Sequence, residues 1–292
     1  MIPLHHKYIT YAVEFIMSDL SHSWKHSELA IIAMLSTSCF SRRFKSIVGE
    51  SFKSFYLRKK MEKAYRLLYY NPDMSVEEVA YKVGYKYHEN FTLAFKACFG
   101  FSPYDVKSGK VKPQYRIMYK EMKHNIHFEE INLLPDQVVL YHKHYKGYQV
   151  DTLLSEFKDL YDFARKKDYP VNRFVGIRHD DPLITTDERC IYDACVTVDI
   201  PEKHYPNYPY NVKTVKKCHY AIFQYEGLME DLSPTWDYIV DVWLRKSDYT
   251  LKICPWIEIF SLKDQDNKEI VKGKLLLPVE TIDNDKWLMV NG

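Results

Sequence analysis

Two segments of the sequence carry polar and basic side chains around paired phenylalanines. In the first segment Phe40 and Phe44 lie four residues apart, so a helix would place both on one face and Arg42 on the other. A guanidinium can donate two parallel hydrogen bonds to one guanine, whereas the ammonium of Lys45 suits a phosphate. Spacing alone, however, favours the simpler interpretation of an ordinary helix with a solvated polar face.

The second segment repeats this arrangement around Phe91 and Phe95. Asn90 has the donor and acceptor that adenine requires, and Lys96 could hold a phosphate. The candidate nucleic-acid contacts of both segments are Ser38, Cys39, Ser41, Arg42, Arg43, Lys45, Tyr87, His88, Glu89, Asn90, Thr92 and Lys96.

A third candidate is Glu258, a carboxylate inside the apolar run from Trp256 to Phe260. Strand alternation would put Trp256, Glu258 and Phe260 on one face. A lone buried carboxylate is costly, so Glu258 needs a cation, either from a ligand or from Arg178. The predicted ligand site comprises Glu258, Tyr148, Phe223, Trp236, Trp256 and Phe260. The alternative is that Glu258 pairs with Arg178 or another base and the aromatic residues are core.

Other chemistry has weak support in the sequence. His142 and His144 would share one strand face, but no third metal ligand is evident. The six cysteines form no C-x-x-C pattern and are expected to be reduced thiols, mostly buried. No nucleotide-binding motif or nucleophile–base set can be proposed. We therefore predict no catalytic residue, no metal and no cofactor.

The elements that would position these residues divide the chain in two. Residues 1–107 carry helical periodicity, and Ser36, Gly49 and the Ser75–Glu78 capping box mark helix ends. A long helix is predicted over residues 52–70, with Leu57 facing inward and Lys59 and Lys60 outward. The prediction is an all-α N-terminal domain with two helix-turn-helix units, followed by a linker over 108–126.

Residues 127–292 have a different pattern, in which strand-like runs alternate with two helical stretches. Similar residues recur 80 positions apart: Gly147 matches Gly227, and Ile177 matches Ile257. We predict an α+β domain of two strand-helix-strand repeats, related by a pseudo-twofold axis with a groove between them.

Charge divides the 292 residues in the same place. Residues 1–110 have a formal net charge of +6 and residues 111–292 one of −4, which favours a polyanion as the partner of the first part. There is no signal-peptide pattern and no apolar run of about 18 residues, so the chain is expected in the cytoplasm, without a membrane partner.

The residues of the first part also resemble those of a known family, the AraC/XylS-type DNA-binding domain. The resemblance rests on Leu29-Ala30, Phe40-Ser41-Arg42-Arg43-Phe44-Lys45, Gly49, Val79-Ala80, Val83-Gly84-Tyr85, Phe91, Phe95-Lys96 and Ser102-Pro103. It implies that helix 52–70 holds two units that read successive major-groove faces. The chain departs from the family at Met34, where glycine is usual, and at Leu93, where arginine is usual.

The second part is similar to the GyrI-like effector-binding domain. The matching residues include Tyr145-Lys146-Gly147-Tyr148, Asp180-Asp181-Pro182, Cys190-Ile191-Tyr192-Asp193, Tyr225-Glu226-Gly227 and Pro255-Trp256-Ile257-Glu258. The resemblance implies a hydrophobic, often cationic, ligand in the groove between the repeats.

Together these observations predict a sequence-specific transcription activator that is modulated by a small hydrophobic molecule. It would bind double-stranded promoter DNA and contact RNA polymerase. It would act as a monomer on DNA, with dimerisation left open, since one chain already carries two reading units. Two alternatives stand beside this prediction: a small-molecule hydrolase with Glu258 as the base, and a DNA-binding protein that responds to no ligand.

Overall fold

The N-terminal half of the computed structural model is helical. The structure describes residues 4–71, 73–111, 126–181, 183–199, 210–252, 254–260 and 270–281. The first helix-turn-helix unit comprises α1 (Leu4–Ser18), α2 (His26–Ile32) and α3 (Thr37–Val48). Ser36 caps α3 by accepting a hydrogen bond from Cys39 N, and Gly49 ends the helix in the left-handed region.

The second unit follows α4 (Phe52–Tyr70) and comprises α5 (Val76–Lys82) and α6 (His88–Phe99), with α7 (Pro103–Lys107) packed behind it. The predicted capping box is present, since Ser75 and Glu78 each accept a hydrogen bond from the other's backbone N–H. The prediction of an all-α domain with two helix-turn-helix units is confirmed.

The turns of the two units differ at one position. Gly84 in the second turn has a φ of +77°, and a Cβ there would lie 2.3 Å from Ser21 O. Met34 takes the equivalent place in the first turn with a φ of +52°, and its side chain is 75% exposed. The predicted departure therefore leaves a non-glycine residue in a left-handed conformation that costs about 1–2 kcal/mol.

The C-terminal half is an antiparallel sheet with helices packed on it. Its elements are β1 (Ile126–Leu134), β2 (Gln137–His144), α8 (Val150–Lys166), β3 (Val171–Arg178), β4 (Tyr192–Val198), β5 (Asn211–Val215), β6 (Cys218–Leu228), α9 (Leu232–Tyr238), β7 (Tyr249–Leu251), β8 (Trp256–Phe260) and β9 (Ile270–Thr281). A π-helical turn, Ile239–Leu244, continues α9. Among the described residues the strand order is β1-β6-β9-β8-β3-β4-β2-β5, and β7 pairs with β9.

The strand order itself displays the internal repeat. β3 and β8 lie antiparallel at the centre, β4 and β9 flank them, and β2 and β6 come next on either side. Helices α8 and α9 follow β2 and β6 and pack against the same side of the sheet, around Phe157, Trp236 and Ile239. The predicted α+β class, with two pseudo-twofold-related repeats, is confirmed.

Helix α4 differs from its prediction in one respect. Leu57, expected inside, is 42% exposed, whereas Lys59 and Lys60, expected outside, are buried. The reason is tertiary, because Lys59 pairs with Asp180 of the C-terminal half, and the Lys60 ammonium lies over the rings of Tyr56 and Tyr85. The predicted domain boundaries remain a prediction, and residues 112–125 of the predicted linker lie outside the described residues.

Candidate functional site

Helix α3 presents the predicted polar face to solvent. Phe40 and Phe44 are fully buried against α1 and α4, which leaves the other side of the helix outward. Ser38, Ser41, Arg42, Arg43 and Lys45 are exposed, and Cys39 is half-buried. The Ser41 hydroxyl donates to Thr37 O at 3.0 Å. This face therefore offers two guanidiniums and one ammonium within two turns of helix.

Helix α6 has the same arrangement around the buried Phe91 and Phe95, but fewer cations. Tyr87, Glu89, Asn90 and Lys96 are exposed, while His88 and Thr92 are half-buried. The Oγ1 atom of Thr92 lies inside and has no hydrogen-bond partner among the described residues. Leu93, in the place of the first unit's Arg42, is 68% exposed. Lys96 is thus the basic side chain of this predicted face.

Glu258 lies in β8 on the side of the sheet that faces the helices, and it is 2% exposed. Trp256 and Phe260 share that side and Ile257 faces the other, which confirms the predicted alternation. Both carboxylate oxygens are occupied. Oε1 accepts from Trp236 Nε1 at 2.8 Å and Arg178 Nη1 at 3.2 Å, and Oε2 accepts from the Tyr192 hydroxyl at 2.6 Å.

The absence of a side chain at Gly176 makes room for these contacts. Gly176 is directly opposite Glu258 in the β3–β8 ladder. A Cβ at this position would lie 1.7 Å from the Tyr192 hydroxyl oxygen and 3.0 Å from Glu258 Oε2. Any other residue would displace the tyrosine that hydrogen-bonds to the carboxylate.

Arg178 is the internal cation of the groove. Burial lowers its pKa, but the Glu258 carboxylate, Tyr148 and Tyr192 together outweigh burial, so the pKa of Arg178 is raised and it stays charged. Its Nη2 donates to Ser233 Oγ at 2.8 Å, and its guanidinium carbon lies 3.9 Å from the centre of the Tyr148 ring. Arg178 Nε is buried without a partner in the described part of the chain. In this conformation Glu258 is therefore paired with Arg178, as the second of the two interpretations of the sequence expects.

A small cavity of about 30 Å³ adjoins this ion pair, between α8 and the start of α9. Of the six residues predicted to form the ligand site, Tyr148 and Glu258 line it. The other lining residues are Leu153, Phe157, Arg178, Tyr192, Met229, Leu232 and Ser233. Such a volume has room for about one water molecule. The groove is therefore closed by its own side chains.

The other four predicted residues lie behind or beside the cavity. Trp236 hydrogen-bonds to Glu258 and stacks on Trp256, with ring centres 5.2 Å apart. Phe260 and Phe223 are buried in the same core, and Phe223 packs against Trp243. Sequence reasoning missed Phe157 and Tyr192, because an aromatic residue on an apolar face is also typical of core.

The residues just after Arg178 contact the N-terminal helical domain. Asp180 pairs with Lys59 of α4 and also accepts from Ile191 N at 2.7 Å. Asp181 accepts from the Tyr70 hydroxyl at 2.9 Å. The Tyr148 hydroxyl donates to Asp180 O at 2.8 Å, so the ring that stacks on Arg178 also holds this turn. These contacts link the groove to α4 through neighbouring residues.

A second set of contacts joins α1 to the sheet. Glu14 accepts from the Tyr141 hydroxyl at 3.0 Å and pairs with Lys143 at 3.1 Å. Asp193 pairs with Lys143 at 2.7 Å and also with Lys213. Burial would raise the pKa of Glu14, but Lys143 and Lys213 lower it to about 2. No local pattern had pointed to this network, since its members come from distant parts of the chain.

The two histidines considered as metal ligands have another role. His142 and His144 both approach Glu156 Oε1, at 3.1 and 2.9 Å, and His6 stacks on His142. In the part of the chain that the structure describes, no group of three or more histidine, cysteine or acidic residues is arranged to hold a metal ion. Nor does that part contain a helix long and apolar enough to cross a membrane.

Comparison with known families agrees with this two-part architecture. Residues 124–280 match the GyrI-like small molecule binding domain, and residues 29–108 match a helix-turn-helix domain family. Because the first match covers more than half of the chain, the chain belongs to the GyrI-like family. The helix-turn-helix domain at its N-terminus is of the AraC type.

Relatives of the DNA-binding half are also found. A protein of Streptomyces antibioticus named as an AraC-like transcription regulator is 32% identical over 96 residues, or 33% of this chain and 31% of the relative. The chain thus spans about a third of that relative's length, and the same holds for a Streptomyces lividans protein of the same description, at 29% identity.

Two solved structures show similarity to one half each. The C-terminal domain of AraT, a response regulator from Geobacillus stearothermophilus, is 28% identical with a TM-score of 0.34, over 37% of this chain and 89% of that one. The EcmrR C-terminal domain is 12% identical with a TM-score of 0.44, over 55% of this chain and 100% of that one.

Proposed function

We propose that the protein is a sequence-specific DNA-binding transcription regulator, an activator, that binds promoter DNA through α3 and α6. The observation that carries this proposal is the pair of outward polar faces, each backed by buried phenylalanines and joined by α4. With 19 residues, α4 is about 28 Å long, close to the spacing of successive major grooves, about 34 Å. One chain then covers two grooves as a monomer and contacts RNA polymerase bound nearby.

We further propose that a small hydrophobic molecule binds between α8 and α9. Glu258 and the aromatic rings of Tyr148 and Phe157 suit a lipophilic cation, through charge and cation–π attraction. Such a ligand has to displace Arg178, the cation that is paired with the Glu258 carboxylate in this structure. Binding therefore includes an exchange of one cation for another rather than the filling of an empty pocket.

Displacement of Arg178 supplies a route from the groove to DNA. Arg178 stacks on Tyr148, whose hydroxyl holds Asp180 O, and Asp180 pairs with Lys59 on α4. A ligand that moves Arg178 and Tyr148 breaks the hydrogen bond that holds this turn. The position of Asp180, and with it the position of α4 on the sheet, then changes. Because α4 carries both helix-turn-helix units, their relative position responds to the ligand.

The DNA-binding proposal is tested by two substitutions on α3. Arg42→Ala should cost about 1–3 kcal/mol at a specific site and relax the preference at one base pair. Lys45→Ala is the matched control on the same face, and it should weaken binding to all sequences alike. Titration of specific and unrelated duplexes at physiological salt separates the two. Intact specific binding by Arg42→Ala refutes the assignment of α3.

The effector proposal is tested by titrating a lipophilic cation and a neutral molecule of the same shape. Glu258→Gln should weaken the cation by about 1.5–3 kcal/mol and leave the neutral molecule unaffected. Arg178→Met should tighten the cation, because it removes the internal competitor. Calorimetry on the full chain measures both. Equal binding of the cation by the wild type and both variants excludes this carboxylate from the site.

A hydrolase that uses Glu258 as its base is less well supported. Both carboxylate oxygens already accept hydrogen bonds, one of them from a buried guanidinium, so neither oxygen is free to accept a proton from an attacking water molecule. Turnover of any bound molecule, lost in Glu258→Gln, would support the enzyme instead. Unchanged DNA binding with every ligand would favour a regulator that needs none.

A further inference from the structure

Two cysteine thiols meet at one end of the sheet. Cys218 opens β6, and Cys254 lies two residues before Trp256, the first residue of β8. Their sulfur atoms are 3.0 Å apart, and both thiols are free. Cys218 Sγ also lies 3.6 Å from His219 O, and the thiols of Cys190 and Cys195 face the backbone carbonyls of Thr185 and Asp193.

The two cysteines are held together by the same strand. In the β6–β9 ladder Tyr220, two residues after Cys218, pairs with Pro278. On the other side, Lys252 N donates to Pro278 O at 3.1 Å, and Cys254 N donates to Lys252 O at 2.9 Å. A disulfide needs a sulfur–sulfur distance of about 2.0 Å, so closure requires a movement of about 1 Å. The strand pairing and these hydrogen bonds therefore hold the two sulfur atoms in van der Waals contact.

The two thiols differ in access. Cys218 is 2% exposed, and burial raises its pKa to about 12. Cys254 is half-buried and lines a cavity of about 280 Å³ between the two halves of the chain, together with Lys59 and Asp180. An oxidant that enters this cavity therefore reaches Cys254 first. Cys218 is buried behind Cys254 and can react only with it.

We propose that Cys218 and Cys254 form a reversible disulfide when the protein meets a peroxide. The Cys254 thiolate attacks a peroxide oxygen, the O–O bond breaks, and with hydrogen peroxide a sulfenic acid and hydroxide result. The Cys218 sulfur then attacks Cys254 Sγ, and the S–S bond forms as the S–O bond breaks. The thiol protons leave with the two oxygens, so two thiols and one hydrogen peroxide give one disulfide and two waters. A dithiol reductant reverses the change.

The bond lies where it can affect both halves. It fixes the turn that leads into β8, which carries Trp256 and Glu258, to the start of β6. The same turn also lines the cavity that contains Asp180 and Lys59. The ion pair between these two residues joins α4 to the C-terminal half. Oxidation should therefore make the contact between the two halves more rigid on this side. The fluorescence of Trp256, two residues from Cys254, should change with it.

The experiment uses the full reduced chain, treated with hydrogen peroxide and digested without reduction. The proposal expects one linked peptide pair containing Cys218 and Cys254, which disappears on treatment with a dithiol. It also expects a change in tryptophan fluorescence that reverses with the link. Cys254→Ser and Cys218→Ser should each abolish both signals, whereas Cys98→Ser, at an exposed thiol on α6, should retain them.

Two outcomes overturn the proposal. One is oxidation of Cys254 to a sulfinic acid while Cys218 stays free. The other is a link that joins different cysteines and survives in Cys254→Ser. Because the peptide map needs neither DNA nor an effector, it stands or falls separately from the proposed regulatory function.

Discussion

Removal of the charge on Glu258 should destabilise the C-terminal half, and the structure sets the magnitude. The carboxylate and Arg178 are 2% and 3% exposed, so Glu258→Gln leaves a guanidinium buried without its counter-ion. Breaking a buried pair in this way costs about 3–5 kcal/mol. Arg178 keeps its hydrogen bond to Ser233 and its stacking on Tyr148, which places the expectation near the lower end, about 3 kcal/mol.

The double variant Arg178→Met with Glu258→Gln separates charge from packing. Methionine has an unbranched apolar chain of similar reach, and the glutamine oxygen still accepts from Trp236 and Tyr192. With neither charge present, the double variant should recover most of the loss, to within about 1 kcal/mol of the wild type, since apolar replacements of buried pairs are often neutral.

Thermal unfolding followed by tryptophan fluorescence is the assay, because Trp236 and Trp256 lie against the pair. A loss of 3 kcal/mol corresponds to a melting point lowered by about 6–12 °C for a domain of this size. Circular dichroism at about 222 nm follows helix content. It shows whether α1–α7 unfold in the same transition as the C-terminal half. If Glu258→Gln melts within about 2 °C of the wild type, or the double variant is no more stable than the worse single variant, the pair is not coupled as the structure implies.

Three further predictions concern the DNA-binding half and its contact with the sheet. Leu93→Arg should tighten DNA binding and steepen its salt dependence in a fluorescence titration, because exposed Leu93 takes the place of a cation; an unchanged slope means that α6 does not approach the phosphates. Met34→Gly should raise the free energy of unfolding by up to about 1 kcal/mol, since it relieves a φ of +52° and gives up little packing; a lower melting point refutes this. Stability from the contact of α1 with the sheet should be complete above pH 4.5 and fall towards pH 2, because the folded pKa of Glu14 is about 2 against an ordinary 4.5. Melting temperatures across that range should fall less steeply for Glu14→Gln than for the wild type, and parallel curves contradict the prediction.

Most of the helical half could be predicted from local sequence signals. The caps at Ser36 and Ser75, the glycine at position 49 and the phenylalanine pairs act within one turn of their own helix, so the residues themselves specify them. The alternation around Glu258 is equally local, since successive strand residues must face opposite sides. The 80-residue repeat extended the prediction to the arrangement of the strands, because two similar segments pack most simply about a twofold axis.

The sequence alone left the partner of Glu258 open, and the tertiary structure decided it. A buried carboxylate needs a positive or hydrogen-bonding partner, but sequence spacing does not say which groups will be within 3 Å or so. Folding brings Arg178, Tyr192 and Trp236 to it from three separate elements, and Gly176 leaves the space that they need. The same cause explains Lys59. Helical periodicity placed it outside, and only the packing of α4 against Asp180 turned a solvated lysine into a buried contact between the two halves of the chain.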